Sequence, residues 1–396
     1  MKKRIVFLSC AFVCILTGCV PEANPSSSGI NKPAFYGKSD ILFTEFITGS
    51  SPSNRALEIS NLSDKDVSLD GYSVNIYRRM ETTPKYKISL NGKQIKAKSS
   101  FVIASSDSKD LYTSKADLVT ADLVVDGTWP VALVKDNKIV DMLGQIGYQT
   151  EYGKQKDLVR KDDYLENKES FDSYEWIAYQ TDDVSRLGNY YDSISDVELL
   201  WGPKLTEEMA SLPFIYEKKG TYVGGGGFIE VDLAYCGDGD TTNFYFPSSL
   251  REYGIGSRES TRYLKINTPE TQHGTEIDAQ PWGYKAQEYN NSILNSAKHY
   301  IVQTERDSSF RETYDRMLLY VWYSNESNPQ LSDYKCLNFE MVEVGLARCY
   351  FYDENAYNNP LLYKGISYTN FFLNAEAHAK KLGLKIHGEI DPDFNY

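Results

Sequence analysis

Between residues 39 and 192 one pattern recurs: a short run rich in β-branched and aromatic residues, a turn signal, then another such run. Ile41 to Ile47 and Ala56 to Asn61 read as strands. Asp70-Gly71 and Asn91-Gly92 are turn signals, and the second favours a tight hairpin between Ile88-Ser89-Leu90 and Gln94-Ile95. Phe101 to Ala104, Trp129 to Val134 and Lys138 to Leu143 continue the series. Short strands at regular spacing, with almost no helical periodicity, point to a β-sandwich. At 396 residues the chain is too long for one small fold, so a second domain is expected.

Beyond residue 228 the informative residues are chemical. Asp238-Gly239-Asp240-Thr241 is followed by Arg262, by Thr268-Pro269-Glu270 and by Tyr314-Asp315-Arg316. Phosphodiester hydrolysis needs such a set. One carboxylate holds a hard cation through oxygen, a second activates water, and two guanidiniums take up charge on the phosphoryl oxygens. Arginine suits the last task because its planar fork pairs with phosphate at two points and stays charged. Taken singly each piece has an ordinary explanation. Asp240 is a turn acid, the arginines are surface charges, and Thr-Pro-Glu is a helix start. His273, without partners in the sequence, is a loop residue.

In order and spacing, these residues and their surroundings resemble the staphylococcal nuclease (thermonuclease) family over about 228–388. The similarity runs through Val231 to Phe244, Thr261 to Thr271, Trp282 to Ala286, Tyr314 to Tyr320, Val344 to Arg348 and the helix Ala375 to Lys381. The resemblance implies an α+β OB-fold barrel of five strands with three helices, its nucleotide site on the barrel face. It implies Asp240 as the main calcium ligand and the carbonyl of Thr268 as a second. Glu270 would be the general base, with Arg262 and Arg316 clamping the phosphate. Tyr314 would lie beside the bound nucleotide, and Asp238 would stand behind Asp240. The chemistry implied is that of a calcium-dependent endonuclease leaving 3′-phosphates from DNA or RNA.

Two positions depart from the family's best-known member. Asn267 stands where that protein has an aspartate ligand. Its amide oxygen can still coordinate Ca2+, but one negative charge is lost, so weaker metal binding is expected. His387, near the end of the last helix, replaces a common tryptophan and reads as packing. Tyr245 to Ser260 is longer than a tight hairpin and is expected to be a loop.

The first domain resembles the lamin-tail domain, an immunoglobulin-like sandwich, in Thr44-Glu45-Phe46, Leu57 to Leu62 and Val67 to Val74. Trp176 and Ser185-Arg186-Leu187-Gly188 suit its end. It implies a binding or positioning module with no catalytic residues and a ligand that the sequence does not name. The whole is therefore expected to be mainly β: a lamin-tail-type sandwich over 39–192, a linker over 193–227, the barrel over 228–388 and a tail over 389–396. Gly224 to Gly227 is expected to be a flexible hinge.

Residues 1–19 read as an export signal. Met1-Lys2-Lys3-Arg4 is followed by an apolar run from Ile5 to Leu16, about a dozen residues and short for a membrane span. Leu16-Thr17-Gly18-Cys19 resembles a bacterial lipobox, which would make Cys19 a lipidated N-terminus and put the protein on a cell membrane, outside the cytoplasm. Residues 20–38, rich in Ser, Pro, Asn and Gly, fit a tether. Cys236, Cys336 and Cys349 remain, an odd number without metal-ligand spacing; they read as buried thiols or as one disulfide between Cys336 and Cys349.

The net charge of −13 does not favour nonspecific capture of a polyanion. Positive charge must then be concentrated at the cleft, where Arg262, Arg316 and a cation would supply it. The sequence reading is a membrane-anchored, extracytoplasmic nuclease acting on DNA or RNA. The alternative is a non-catalytic nucleic-acid-binding or surface adhesion or scaffold lipoprotein.

Overall fold

The computed structural model describes residues 32–190, 196–272, 278–350 and 359–394. The expected signal segment, Cys19, most of the tether and His273 lie outside the described residues. None of the described helices is long and apolar enough to cross a membrane.

The first domain is a two-sheet sandwich. Its strands are β1 (Ile41–Thr48), β2 (Arg55–Asn61), β3 (Val67–Ser68), β4 (Tyr72–Tyr77), β5 (Pro84–Ser89) and β6 (Gln94–Ile95). They continue with β7 (Ser99–Ser105), β8 (Leu118–Thr120), β9 (Val131–Lys135), β10 (Lys138–Leu143), β11 (Asp157–Arg160) and β12 (Trp176–Tyr179). A one-turn helix, α1 (Asp110–Thr113), interrupts the series. One sheet runs β12-β11-β1-β2-β7-β8 and the other β10-β9-β4-β5.

Alternation decides which side chains meet between the sheets. Leu57 and Ile59 of β2 join Val74, Ile76, Val131 and Leu133 in the shared core. On β1, Ile41, Phe43 and Phe46 all reach that core, although strict alternation would turn Phe46 outward. A register shift between Phe43 and Glu45 supplies the missing step. A buried ion pair ties the sheets together: Arg160 Nη2 lies 2.9 Å from Asp141 Oδ2, and both side chains are almost fully buried. Asp141 also accepts the backbone N–H groups of Phe43 and Lys168, and the Arg160 guanidinium lies over the Trp176 ring. The remaining polar capacity of the pair is thus largely satisfied, as a buried charge pair requires.

The expected hairpin across Asn91-Gly92 is corrected. The turn forms, with Gly92 at φ 72°, but its two arms do not pair. β5 joins β4, and β6 joins β3. The reason lies in a lock between two turns: Asp70 Oδ1 accepts Gly92 N–H, and Asn91 Oδ1 accepts Gly71 N–H, each at 2.8 Å. The turn passes the chain from one sheet to another segment instead of folding it back.

The segment between the domains is packed. It contains the short helices α2 (Asp196–Leu200) and α3 (Glu207–Ala210) and the hairpin β13 (Ile215–Lys218) and β14 (Thr221–Gly224). Leu199, Leu205, Met209, Phe214 and Ile215 enter the same core as the barrel. The expected glycine hinge is also corrected: Gly224 to Gly227 are all buried. A Cβ on Gly225 would fall 2.1 Å from the Pro213 carbonyl oxygen, and one on Gly227 2.1 Å from that of Leu212. The Gly225 and Gly227 N–H groups bond Phe214 and Pro213 carbonyls across that approach. Glycine is needed here for close backbone contact.

The second domain is built on β15 (Phe228–Cys236), β16 (Thr241–Tyr245), β17 (Arg258–Tyr263), the short β18 (Ile266–Asn267), β19 (His299–Gln303), β20 (Met317–Ser324), β21 (Lys335–Cys336) and β22 (Arg348–Cys349). The order β17-β16-β15-β19-β20 is closed by parallel pairing of β17 with β20. Helices α4 (Gly283–Ser296), α5 (Leu337–Glu343) and α6 (Tyr368–Leu382) pack around it. This is the OB-type barrel with three helices. Its expected loop from Tyr245 to Ser260 is shorter than anticipated, because Tyr245 ends β16 and Arg258 already begins β17, with a 3-10 turn at Ser248–Tyr253 between them. His387 lies beyond α6, in the turn Lys385–His387. Cys236, Cys336 and Cys349 are free thiols.

The two domains share packing. Val159, Ile177 and Tyr179 of the sandwich join the barrel's core. From α6, Asn370 donates to the Ala178 carbonyl, and Asn374 accepts from Lys161. The Tyr174 ring receives Lys161 and Lys381 at 3.9 and 4.4 Å.

One feature of the sandwich sets a pH dependence. Burial, then the charges of Asp157 and Glu58, push the Glu45 carboxyl well above the ordinary range, and burial pushes Asp157 the same way. Below the unfolded-state carboxyl pKa both states hold these protons and the fold has its full stability. As pH rises toward the folded values, the unfolded chain releases protons that the fold retains, so stability falls. Each unit of elevation contributes about 1.4 kcal/mol to that fall. Thermal unfolding between pH 5 and 8 is expected to show this slope, and Glu45→Gln to flatten it. A wild-type melting curve indifferent to pH over that window would contradict the assignment.

Candidate active site

The site begins with a turn that only a small residue permits. β15 ends at Cys236, and Gly237 N–H donates to the Thr241 carbonyl at 3.0 Å, reversing the chain. Asp238 Oδ1 accepts the Asp240 N–H at 3.2 Å. From α4, Gln287 and Asn290 donate to the carbonyls of Gly237 and Asp238. A Cβ on Gly239 would lie 2.7 Å from Thr268 Oγ1 and 2.9 Å from Ala286 Cβ. Gly239 therefore lets the turn approach both the Thr268 loop and α4.

That approach delivers Asp240. Its side chain is nearly buried, its Oδ2 accepts the Thr268 N–H at 2.8 Å, and Arg262 Nη1 lies 2.6 Å from the same oxygen. Arg262 also donates from Nη2 to Asn267 Oδ1 at 2.6 Å. One guanidinium thus lies between the carboxylate of Asp240 and the amide oxygen of Asn267. Burial raises the Asp240 carboxyl to about 6, against the opposing pull of Arg262 and with a further push from Asp238. The single neighbouring cation does not make up for the lost solvation.

Register positions the second arginine. Thr241 on β16 is opposite Arg262 on β17, and Arg262 is opposite Leu318 on β20. Arg316, just before β20, donates from Nη1 to Thr241 Oγ1 at 3.4 Å and from Nε to Glu312 Oε1 at 2.5 Å. Its guanidinium carbon is 5.9 Å from the centre of the Tyr314 ring, which is 81% exposed and open to a partner.

Glu270 is two residues past Thr268 on the same loop. Its N–H donates to Gln280 Oε1 at 3.1 Å, and its carbonyl accepts the Gln280 N–H at 2.9 Å. A Cβ on Gly283 would fall 2.2 Å from that carbonyl oxygen, so the loop backbone lies directly against the start of α4. Among the described residues the Glu270 carboxylate has no hydrogen-bond or ion-pair partner. The Thr-Pro-Glu segment is a loop here and starts no helix.

The structure thus brings Asp238, Asp240, Arg262, Asn267 and Thr268 into one hydrogen-bonded unit and joins Arg316 and Tyr314 to it through Thr241. Sequence reasoning missed Thr241, Glu312 and Gln280 as supports. Glu312 precedes Arg316 by four residues, which in sequence reads as a helical pair, although the segment is not helical.

For a hard cation the donor set is of the right kind: a carboxylate, an amide and a carbonyl oxygen, two of them already facing one positive group. Asp240, Asn267 and the Thr268 carbonyl together carry one formal negative charge, and no group of three or more His, Cys, Asp or Glu suited to a metal occurs among the described residues. A cation would compete with Arg262 for the same oxygens, so weak binding is expected. Asn267→Asp restores a second charge and should tighten calcium or terbium binding by about tenfold, measured by calorimetry or terbium luminescence. Unchanged affinity would remove Asn267 from the cation's surroundings.

Comparison with protein families agrees with this architecture. Residues 260–386 match the family described as Staphylococcal nuclease homologue, and residues 35–147 match the Lamin Tail Domain. The protein carries a lamin tail domain followed by a domain of the staphylococcal nuclease type. The first match takes in Arg262, Asn267, Thr268, Glu270, Tyr314 and Arg316. Asp238 and Asp240 precede it, and only the geometry above joins them to the site. No curated protein matches the chain.

Proposed function

We propose that the protein is an extracytoplasmic, membrane-anchored nuclease that hydrolyses phosphodiester bonds of DNA or RNA as an endonuclease. The observation carrying this reading is the convergence on Thr241 of two arginines 54 positions apart in the chain: Arg262 faces it across the sheet and Arg316 bonds its hydroxyl. Two guanidiniums placed this way can hold one phosphate from two sides.

In the proposed reaction Glu270 takes a proton from water as the water oxygen forms a bond to phosphorus. The phosphorus–oxygen bond to the 5′ carbon's oxygen breaks, and that oxygen leaves as a hydroxyl after taking a proton from solvent. A 3′-phosphate remains on the other product. Arg262 and Arg316 stabilise the charge that builds on the phosphoryl oxygens. A divalent cation, Ca2+ by family likeness, would be held by Asp240, Asn267 and the Thr268 carbonyl and would add positive charge at the phosphate. Tyr314 offers an exposed ring on which a base can stack. Asp238 supports Asp240 through the turn.

The test uses the chain without residues 1–19, with single-stranded DNA and RNA, in calcium and in chelator. Glu270→Gln should lower kcat by about 100-fold or more, the usual contribution of a general base. Cleavage by Glu270→Gln at the wild-type rate would sink the assignment.

The proposed location rests on the charged start, the short apolar run and the Leu-Thr-Gly-Cys sequence ending at Cys19. In cells, Cys19→Ser should move the protein from the membrane fraction to the soluble fraction. Full retention in membranes would exclude a lipid at Cys19.

A further inference from the structure

We propose that a groove beside the catalytic loop is a second phosphate subsite, binding the nucleic-acid strand beyond the scissile bond. This rests on the nuclease reading and extends it. The groove is a cavity of about 520 Å³ lined by Asn267, Thr268 and Pro269 together with Trp282, Arg348 and Lys385. Its volume is within the range of ligand sites. Asn267 and Thr268 also belong to the site around Asp240, so the groove adjoins that site.

The charge in the groove has the right sign. Arg348 is directly opposite Asn267 in the β18–β22 pair. It is exposed, and among the described residues its guanidinium has no carboxylate or hydrogen-bond partner. Lys385 Nζ donates to the Val344 carbonyl at 2.6 Å, which orients the ammonium without neutralising it. In a chain with net charge −13, two cations that line one cavity and form no salt bridge among the described residues bring positive charge to a place where an anion can bind. Glu343 near Lys385 and Glu389 at the rim are the acidic neighbours. Glu389, exposed at the rim, contributes its backbone carbonyl to the Trp282 indole N–H at 3.2 Å.

Trp282 supplies an independent observation. It has φ 70°, in the left-handed region, where a bulky side chain is strained. Its N–H donates at 2.6 Å to Asp391 Oδ2, a buried carboxylate, and its indole N–H is held by Glu389. Backbone strain held in place by such contacts concentrates where geometry serves a ligand. Trp282 is thereby held in place where it lines the groove.

The test compares a dinucleotide with a single-stranded oligonucleotide of about a dozen residues, comparable to the sites of single-strand-binding folds. Binding is measured by fluorescence anisotropy in the Glu270→Gln background, and cleavage in the intact chain. Arg348→Gln with Lys385→Gln should weaken binding of the longer strand about tenfold, as the loss of charge-assisted contacts would. The slope of log affinity against log salt should flatten by about 1 to 1.5. The dinucleotide should be affected much less, and Arg348→Lys with Lys385 intact should retain most of the affinity. Wild-type affinity and salt slope in the double variant would overturn the subsite, as would equal losses on both substrates. If the intact chain neither cuts nor binds either substrate, the nuclease reading fails and the subsite with it. Normal cutting by the intact chain, with a double variant that binds and cuts both substrates as the wild type does, rejects the groove alone.

Discussion

The parallel pairing of β17 with β20 is the constraint on which the second domain depends. Thr261, Arg262 and Tyr263 meet Met317, Leu318 and Leu319 in register, which closes the sheet into a barrel and removes its open edge. The same three-residue contact aligns the arginines, since Arg262 lies within it and Arg316 immediately precedes it. Tyr263 fastens the arrangement from inside through its hydroxyl, which meets Thr242 and donates to Asn290 on α4. The closure that stabilises the barrel therefore also assembles its site.

Electrostatics at that site is a balance of insufficient charges. Asp240 is too buried to be ionised comfortably, and one guanidinium shared with Asn267 does not fully compensate. Such a group gains from any further positive charge brought to it, whereas Arg262 gains from any further negative charge, such as a phosphate. The arrangement is tight as a unit yet receptive to both a cation and an anion. With a neutral amide at Asn267, Arg262 meets a carboxylate at Asp240 and an uncharged oxygen at Asn267.

The sandwich is more than a passive attachment. Val159, Ile177 and Tyr179 complete the barrel's core, and Tyr174 holds cations from both domains. The intervening segment packs into the barrel's core, and its four buried glycines lie against Leu212, Pro213 and barrel residues. A flexible hinge would leave that apolar surface in water; close backbone contact buries it.

Sequence alone determined the kinds of elements and the chemistry available. Alternation in Leu57 and Ile59 indicated a strand, and Asp-Gly-Asp, Thr-Pro-Glu and the paired arginines indicated phosphate chemistry, because period and residue type are local properties. Register and long-range proximity were decided only by the tertiary structure. The turn at Asn91-Gly92 was legible, but its arms pair elsewhere because contacts between Asp70 and Gly92, and between Asn91 and Gly71, outweigh the local hairpin. Four consecutive glycines looked like freedom, since the sequence does not show the Pro213 and Leu212 carbonyls that occupy the space of a side chain. Asn267 read as a metal ligand from its position, whereas its amide oxygen accepts from Arg262 across the tight turn between β17 and β18, where Lys265 takes φ 67°. The residues carry the chemistry, and burial and barrel closure decide which of them meet.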